Sequence, residues 1–379
     1  MSRTLSAYVH VPFCATRCGY CDFNTYTAAE LSRDTTTVSP TTYADRVIKQ
    51  IQWHAQEQPD IRKLYSIFFG GGTPTLLPAR ELVRIVSALR DVYGIDEQAE
   101  ITTEANPDSI DEKYLAELRA GGFNRVSFGH QSSAPNVLQF LERTHTPGRT
   151  WDAVRWARSA GFEHVSVDLI YGSQVETEAD LQLTLEEVGQ ADIDHVSAYS
   201  LIVESGTRLG TQVARGEVPP ADDDVAASRY PIIDEFLTAH GFQWYEVSNW
   251  AKNDGTCKHN IAYWNNQDWL GIGPGAHAHT DGLRAWNIKH PAAWAMNVDA
   301  GHSPFAGSEV LEPGEQRHED IMLQLRLRAG LPIDLLSRAG TEQALMAVNE
   351  GLLTYQDERF TLTDAGRLLA DGLVTRLWD

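Results

Sequence analysis

The chain is poor in cysteine, in basic residues and in long hydrophobic runs. Its 379 residues contain 4 cysteines, and 31 Lys and Arg stand against 52 Asp and Glu, which gives a net charge of −21. No run of 18 apolar residues is present, so no membrane-spanning helix is expected. The acidic balance disfavours nucleic acid and anionic membrane surfaces as partners. Because cysteines are few and we recognise no signal or transit peptide, we expect a cytoplasmic protein.

Three of the four cysteines lie within eight residues, in the pattern C-x3-C-x2-C. They are Cys14, Cys18 and Cys21, whereas Cys257 is far along the chain. A structural zinc site needs a fourth ligand nearby, and a disulfide would leave one of the three thiols unpaired, so both interpretations fit poorly. Three thiolates can instead hold an iron–sulfur cluster and leave one iron open to another molecule. The loop therefore predicts a chemically active cluster.

Short apolar runs alternate with helical patterns from the N-terminus to about residue 250. The strand candidates cover residues 5–11, 64–69, 99–104, 125–129, 164–170 and 195–202. The helix candidates cover residues 43–56, 79–92, 113–120, 150–160, 179–189 and 225–240. Six such units predict an α/β fold, a partial (β/α)6 barrel of the TIM type, whose functional residues gather at the C-terminal ends of the strands.

Polar or glycine residues follow several of these strands. A glycine run at residues 70–72 lets main-chain groups approach a ligand closely, and the carboxylate of Glu104 can accept hydrogen bonds from ribose hydroxyls or an ammonium. Gln131, Arg143 and Asp168 lie at or just beyond later strand ends. Each residue alone could be structural, as a loop glycine, a solvated acid or a hydrogen-bonded core group.

The cysteine loop and the strand-end residues together resemble the radical S-adenosylmethionine (SAM) superfamily, in its coproporphyrinogen III oxidase-like branch. The resemblance implies that Cys14, Cys18 and Cys21 hold a [4Fe-4S] cluster whose fourth iron chelates SAM. It also implies a set of SAM-binding residues, namely Tyr8, Gly71, Gly72, Thr73, Glu104, Gln131, Arg143 and Asp168. By the same resemblance, the glycine segment receives the amino group of SAM, Arg143 pairs with its carboxylate and Asp168 contacts its ribose.

Two kinds of relative within that branch differ around the cysteine loop. Oxygen-independent coproporphyrinogen III dehydrogenases usually have a further cysteine two residues after the third, where this chain has Phe23. They also have a long N-terminal extension, whereas seven residues precede Tyr8 here. Both differences favour the HemW-type heme chaperones, which are not expected to decarboxylate coproporphyrinogen. The dehydrogenase stays the alternative, and the sequence leaves open whether the chain is an enzyme.

A second segment, residues 257–264, combines a histidine with aromatic residues. Aromatic rings beside a neutral imidazole offer heme a flat apolar contact and a nitrogen ligand, although such a histidine is more often a hydrogen-bonded core residue. The segment reproduces the HNxxYW pattern of HemW proteins, and this resemblance implies that His259, Tyr263 and Trp264 bind heme. Cys257 is a rival ligand for the iron, and His277, in a glycine-rich turn, is a weaker candidate.

The chain changes character beyond residue 290. The pattern predicts helices over residues 315–328 and 333–338, a hairpin of residues 352–356 and 359–362, and a last helix capped by Thr363 or Asp364. We therefore assign residues 1–290 to a radical SAM core that includes the heme-binding segment. We assign residues 291–379 to a small C-terminal helical, winged-helix-like domain that resembles the C-terminal domain of HemN proteins.

These observations and the resemblance predict a heme chaperone that binds a [4Fe-4S] cluster and SAM, holds heme, and transfers it to apo-hemoproteins. The acceptors would include membrane-bound respiratory subunits, which a cytoplasmic protein would reach by peripheral docking. A homodimer is compatible with the family. The alternative is oxidative decarboxylation of coproporphyrinogen III to protoporphyrinogen IX through a SAM-derived radical. A nucleic-acid-binding protein is a remote third interpretation, because the tail has no basic cluster.

Overall fold

Six parallel strands and the helices that connect them form the centre of a computed structural model, which describes residues 3–32, 38–57 and 61–378. The strands are β1 (Leu5–Val11), β2 (Leu64–Gly71), β3 (Ile95–Ala105), β4 (Arg125–Gln131), β5 (His164–Tyr171) and β6 (His195–Ser200). The connecting helices are α1 (Tyr43–Glu57), α2 (Ala79–Tyr93), α3 (Glu112–Ala120), α4 (Arg149–Ala160), α5 (Glu178–Gln190) and α6 (Asp223–Ala239). Neighbouring strands pair in parallel from β1 to β6, which confirms the predicted partial (β/α)6 barrel.

The two hydrophobic periodicities of the sequence explain these elements. In α2, Leu82, Ile85, Val86 and Leu89 recur at i, i+3, i+4 and i+7 and are all buried. In β1, by contrast, six of the seven residues are buried, because a parallel strand is covered on both faces. The helices therefore form an outer layer, and the inward side chains of the strands line the barrel interior.

Six further strands extend the sheet at both edges of the barrel. They are β7 (Gln243–Glu246), β8 (Asn249–Ala251), β9 (Asp268–Ile272), β10 (His277–Thr280), β11 (Leu283–Asn287) and β12 (Phe305–Val310). Strand β8 pairs antiparallel with β6, and β9 pairs in parallel with β1, so the sheet has twelve strands in the order β12-β11-β10-β9-β1-β2-β3-β4-β5-β6-β8-β7. The sequence analysis predicted none of these edge strands.

Short elements position the functional segments. The strands Phe13–Cys14 and Tyr26–Thr27 pair in parallel at the base of the cysteine loop. The heme-binding candidates lie on a short helix, α7 (Lys258–Trp264). The remaining short elements before residue 300 are the helices Ala28–Leu31, Pro135–Phe140, Arg208–Ala214 and Pro291–Asp299 and the 3-10 turns Pro74–Leu76 and Pro107–Ser109. Within the described ranges, no helix combines the length and the apolar character needed to cross a membrane.

The C-terminal region has a hydrophobic cluster of its own, which includes Leu325, Phe360 and Leu377. Its helices are Pro313–Gln324, Arg338–Asn349, Asp364–Arg367 and Ala370–Leu377, and its three short strands are Leu331–Pro332, Leu353–Gln356 and Arg359–Leu362. The predicted hairpin and the Thr363 cap are confirmed. The domain boundary at residue 290 stays a prediction, and β12 beyond it belongs to the large sheet.

One predicted element in this region is wrong. A helix was expected over residues 333–338, whereas the structure has a 3-10 turn, Ile333–Leu335, and begins the next helix at Arg338. The Ser337 side chain accepts a hydrogen bond from the Gly340 N–H, which caps the new helix at its start. The cap therefore separates two elements that the hydrophobic pattern merges.

Candidate functional site

A cavity of about 740 Å³ runs through the barrel from the C-terminal ends of the strands to their N-terminal ends. The residues predicted to bind the cluster or SAM all line it, namely Tyr8, Cys14, Cys18, Cys21, Gly71, Gly72, Thr73, Glu104, Gln131, Arg143 and Asp168. Two of the predicted heme-binding residues, His259 and Tyr263, line the same cavity, and Trp264 does not. The structure therefore brings both groups of candidates into one space.

The three thiols of the cysteine loop lie half-buried on the wall of this cavity. Burial raises the pKa of Cys14, and it raises the pKa of Cys21 to about 11, so both are neutral thiols at pH 7. The Arg143 guanidinium donates to the Cys18 Sγ at 3.9 Å. Within the described chain, no three His, Cys, Asp or Glu side chains converge as they would around one metal ion. The donor set suits a cluster, in which thiolates bind different irons and lose their protons on binding.

The glycine loop after β2 packs against the beginning of the cysteine loop. Gly71 has a φ of +110°, and a Cβ there would lie 2.5 Å from the His10 ring. A Cβ on Gly72 would lie 2.4 Å from the Phe13 carbonyl oxygen, and the Gly72 N–H donates to the Val11 carbonyl at 2.8 Å. Packing alone therefore requires glycine at these two positions, whatever ligand the loop binds.

Two carboxyl groups, Glu104 on β3 and Asp168 on β5, line the cavity and interact electrostatically. Glu104 accepts a hydrogen bond from the Gly71 N–H at 3.2 Å, and burial together with the negative charge of Asp168 raises the pKa of Glu104 to about 8. The Ser127 hydroxyl contacts both oxygens of Asp168, at 3.0 and 3.1 Å, and burial raises the pKa of Asp168. A cationic ligand with hydroxyl groups would relieve this unfavourable burial of negative charge.

Gln131 and Arg143 meet at the end of β4, beside these carboxyl groups. A Cβ on Gly129 would lie 2.6 Å from the Arg143 Nη2 and 2.9 Å from the Gln131 Nε2. Gln131 has a φ of 67°, a left-handed conformation that is uncommon for residues other than glycine. Such strain is often found at ligand sites. The Arg143 Nη2 also donates to the Gly129 carbonyl at 2.9 Å, which fixes the guanidinium at the cavity wall.

His259 lies at the opposite end of the cavity, where α7 closes the barrel. Its Nδ1 is 2.8 Å from the Ser66 hydroxyl, and that hydroxyl donates its proton to the Ser6 oxygen at 2.8 Å. The Ser66 oxygen must therefore accept from the imidazole, so the proton of His259 is on Nδ1 and the lone pair is on Nε2. The Nε2 is buried and has no hydrogen-bond partner among the described residues. Burial lowers the pKa of His259 to about 4, so the ring is neutral.

The residues around His259 fix its helix and its ring. The Phe68 ring stacks on the imidazole at 5.1 Å between centroids, and Tyr263 meets it edge-on at 4.7 Å. Glu100 accepts hydrogen bonds from the Lys258 and His259 N–H groups, both at 3.0 Å, and forms an ion pair with Arg125 at 2.8 Å. This ion pair holds the N-terminus of α7 on the barrel floor.

The two other candidate ligands of the heme iron, Cys257 and His277, are less suitable than His259. The Cys257 thiol donates to Glu100 at 3.3 Å, and burial raises the pKa of this thiol, so it is neutral and hydrogen-bonded. His277 is exposed on β10, outside the barrel, and does not line the cavity. Ser66, Glu100 and Arg125 were not among the residues predicted from the sequence. A charged residue inside each of two neighbouring buried strands, Glu100 and Arg125, was the signal that could have revealed the polar barrel floor.

Comparison with known proteins agrees with this geometry. Residues 8–188 match the model of the Radical SAM superfamily. Over 375 residues the chain is 45% identical to the heme chaperone HemW of Mycobacterium tuberculosis, with 99% of this chain and 95% of that protein covered. It is 31% identical to the heme chaperone HemW of Lactococcus lactis, with 98% and 97% covered.

A solved structure, that of the coproporphyrinogen III oxidase HemN from Escherichia coli, has the same fold. It superposes with a TM-score of 0.84 at 23% identity, with 100% of this chain and 90% of that chain covered. At this level of identity the likeness concerns the fold alone.

Proposed function

Because the chain belongs to the radical SAM superfamily and, within it, to the HemW heme-chaperone family, we propose that it binds heme at His259 and transfers it to apo-hemoproteins. The observation that carries this proposal is the state of the His259 ring. Its Nδ1 proton is held by Ser66, and its Nε2 lone pair has no protein partner in the described chain. Histidines that bind a metal typically donate their other ring N–H to a neighbouring acceptor in this way.

The same proposal assigns the cluster to the cysteine loop and SAM to the strand residues that line the same cavity. Cys14, Cys18 and Cys21 would hold a [4Fe-4S] cluster, which supplies an open iron and one-electron chemistry when bound. Glu104 and Asp168 would face the positively charged and hydroxyl-bearing parts of SAM, since burial raises the pKa of both carboxyl groups and a cation beside them would offset that cost. The remaining SAM-binding candidates are Tyr8, Gly71, Gly72, Thr73, Gln131 and Arg143.

Heme is the cargo in this proposal. His259 would provide its axial nitrogen, and Phe68 and Tyr263 would provide aromatic contact near the imidazole. Trp264, which does not line the cavity, would support α7 rather than contact the porphyrin. We extend the proposal to a cytoplasmic protein whose acceptors include membrane-bound respiratory subunits.

A heme titration of the anaerobically reconstituted protein tests this function. Wild type should develop a Soret band on titration, and the His259→Ala and His259→Gln variants should bind heme at least about tenfold more weakly, because the nitrogen ligand is lost. His277→Ala is the matched control and should leave the titration unchanged. Unchanged heme binding in both His259 variants would show that another residue binds the heme iron. Absence of heme binding in wild type would refute the proposal.

The alternative activity is tested in the same preparation. With SAM, a reductant and coproporphyrinogen III, the chaperone should form no protoporphyrinogen IX. Steady formation of that product would identify the chain as an oxidative decarboxylase. Phe23, which is 61% exposed on the cavity wall, would then not discriminate between the two kinds of relative.

A further inference from the structure

We propose that SAM and heme exclude each other from the barrel cavity, so that SAM controls whether heme can reach His259. This inference rests on the proposed function, because it takes His259 as the ligand of the heme iron. It adds a regulatory relation between two ligands that the sequence analysis assigned to separate segments of the chain.

The first step concerns access to the His259 nitrogen. His259 is 2% exposed, and its Nδ1 is hydrogen-bonded to the Ser66 hydroxyl. The Phe68 ring covers one face of the imidazole, and the Tyr263 ring packs against it edge-on. Helix α7 closes the barrel on that side, because Glu100 accepts its first N–H groups. A ligand for the Nε2 must therefore occupy the cavity that the SAM-binding candidates also line.

The second step concerns the distance between the two sites. A Cβ placed on Gly70 would lie 2.9 Å from the Phe68 ring, 3.2 Å from the Glu104 Oε2 and 3.2 Å from the Tyr8 ring. These three side chains therefore meet around one point. Phe68 in turn stacks on His259. One aromatic ring thus separates the Glu104 carboxyl group from the imidazole, and a macrocycle of four pyrrole rings is far wider than this separation.

The third step concerns the size of the cavity. Pockets for one cofactor or drug-sized ligand commonly enclose about 300–1,000 Å³. The cavity of about 740 Å³ lies in that range although it includes the cluster loop, the SAM-binding candidates and His259. SAM and heme are both ligands of this size class. The space suits either ligand beside the cluster, but not both.

Mutual exclusion has a quantitative consequence. If the two ligands compete for one space, free SAM at 100 times its own dissociation constant raises the apparent dissociation constant for heme about 100-fold. By reciprocity, free heme at 100 times its own dissociation constant raises the apparent dissociation constant for SAM by the same factor. A cell could then discharge heme by supplying SAM, without cleavage of SAM.

Heme titrations at a series of SAM concentrations test the inference. The reconstituted protein is kept anaerobic and without reductant, so that SAM stays intact, and the Soret band reports bound heme. The apparent dissociation constant for heme should rise in proportion to free SAM. In the Asp168→Asn variant, the same rise should need more SAM, in proportion to the loss of SAM affinity that calorimetry measures separately.

The outcomes separate this inference from the proposed function. Heme affinity that stays constant, or increases, while calorimetry shows SAM to be bound would overturn the exclusion and leave the chaperone function intact. Failure of wild type to bind heme without SAM would refute both proposals. Heme binding that survives in His259→Ala and ignores SAM would place the heme outside this cavity, which also overturns the inference.

Discussion

At the scale of the residue, two serine–histidine pairs inside the barrel differ in whether the second nitrogen of the imidazole already has a hydrogen-bond partner. Ser66 contacts the His259 Nδ1 at 2.8 Å, and Ser166 contacts the His195 Nδ1 at 2.6 Å. The His195 Nε2 is taken by the Tyr245 hydroxyl at 2.9 Å, whereas the His259 Nε2 has no partner among the described residues. Of these two imidazoles, His259 is the one whose lone pair is not already used in a hydrogen bond to a described residue.

The contact between Ser66 and His259 gives a prediction, and the contact between Ser166 and His195 gives its control. Ser66→Ala removes the acceptor for the His259 Nδ1–H, so the ring loses its fixed tautomer and orientation. We expect heme affinity, measured by Soret titration, to fall about tenfold or more, as is typical when such a supporting residue is lost from a metal site. Ser166→Ala makes the same chemical change beside His195 and should leave heme affinity unchanged. Equal effects of the two variants would mean that Ser66 acts through general packing.

That the cysteine loop and the strand-end carboxyl groups line one cavity could be predicted, because their motifs are short and lie on the barrel strands or next to them. Cys14, Cys18 and Cys21 lie within eight residues, and Glu104 and Asp168 lie in the C-terminal halves of predicted strands of one barrel. The surroundings of His259 could not be predicted. Its partner Ser66 is 193 residues away in the sequence, and nothing local to either residue indicates that they touch.

At the scale of the element, α7 depends on a buried ion pair for its position. Glu100, in β3, accepts hydrogen bonds from the first N–H groups of α7 and from Arg125, in β4. The Arg125 and Glu100 side chains are 2% and 3% exposed. Backbone groups at a helix N-terminus need such acceptors when they are buried, so the ion pair and the helix require each other.

The Glu100→Gln variant tests this dependence. It leaves Arg125 buried without a counter-charge, which costs about 3–5 kcal/mol in the free energy of unfolding. The control is Glu163→Gln. Glu163 forms a surface ion pair with Arg119, with 2.9 Å between Oε1 and Nη2. A surface pair of this kind contributes about 1 kcal/mol or less to the free energy of unfolding. Urea unfolding of the two apoproteins measures the difference. Similar small losses in both variants would show that α7 is held by apolar packing instead.

A buried histidine in α1 gives a prediction for the pH dependence of stability. His54 accepts a hydrogen bond from the Gln50 side-chain amide at 3.1 Å, and burial lowers the pKa of His54 to about 4 from 6.5. The unfolded chain therefore binds one more proton than the folded chain between about pH 4 and 6.5. The stabilising contribution is complete above pH 6.5 and is lost as the pH falls towards 4.

The His54→Gln variant removes the imidazole that binds this extra proton in the unfolded chain. Between pH 6 and 4.5, its free energy of unfolding should fall less steeply with decreasing pH than that of wild type, by up to about 1.4 kcal/mol per pH unit. Urea unfolding at successive pH values measures the two slopes. His302→Gln, at an exposed position, should keep the wild-type slope. Identical slopes for His54→Gln and wild type would mean that folding does not lower the pKa of His54.

The barrel strands and helices could be predicted, and the edge strands could not, for a physical reason. The barrel elements carry their own periodicity, as in α2 and β1. The edge strands are three to six residues long, and they form only because a partner lies beside them. Strand β9, for example, pairs with β1 across more than 250 residues of sequence, as in the register of Leu5 with Asp268.

At the scale of the whole molecule, a buried arginine is among the contacts that attach the C-terminal region to the barrel. Arg367 donates two parallel hydrogen bonds to Asp234, in α6, at 2.8 and 2.6 Å, and its side chain is 2% exposed. The guanidinium also lies over the Trp244 ring at 4.8 Å, and the Trp250 indole donates to the same carboxylate at 2.7 Å. The contact therefore links the last part of the chain to α6, β7 and β8.

The Arg367→Met variant should loosen this attachment, because it leaves the Asp234 carboxylate partly buried without its cation. We expect a loss of about 3 kcal/mol in the free energy of unfolding and faster proteolysis near residue 310 at a protease concentration that leaves wild type intact. Arg376→Met is the control. Arg376 also makes two hydrogen bonds to a carboxylate, that of Glu350, but this pair lies at the surface. The Arg376→Met variant should therefore leave both the free energy of unfolding and the rate of proteolysis unchanged. Wild-type stability and protease resistance in Arg367→Met would mean that apolar contacts hold the C-terminal region to the barrel. The ion pair would then only orient it.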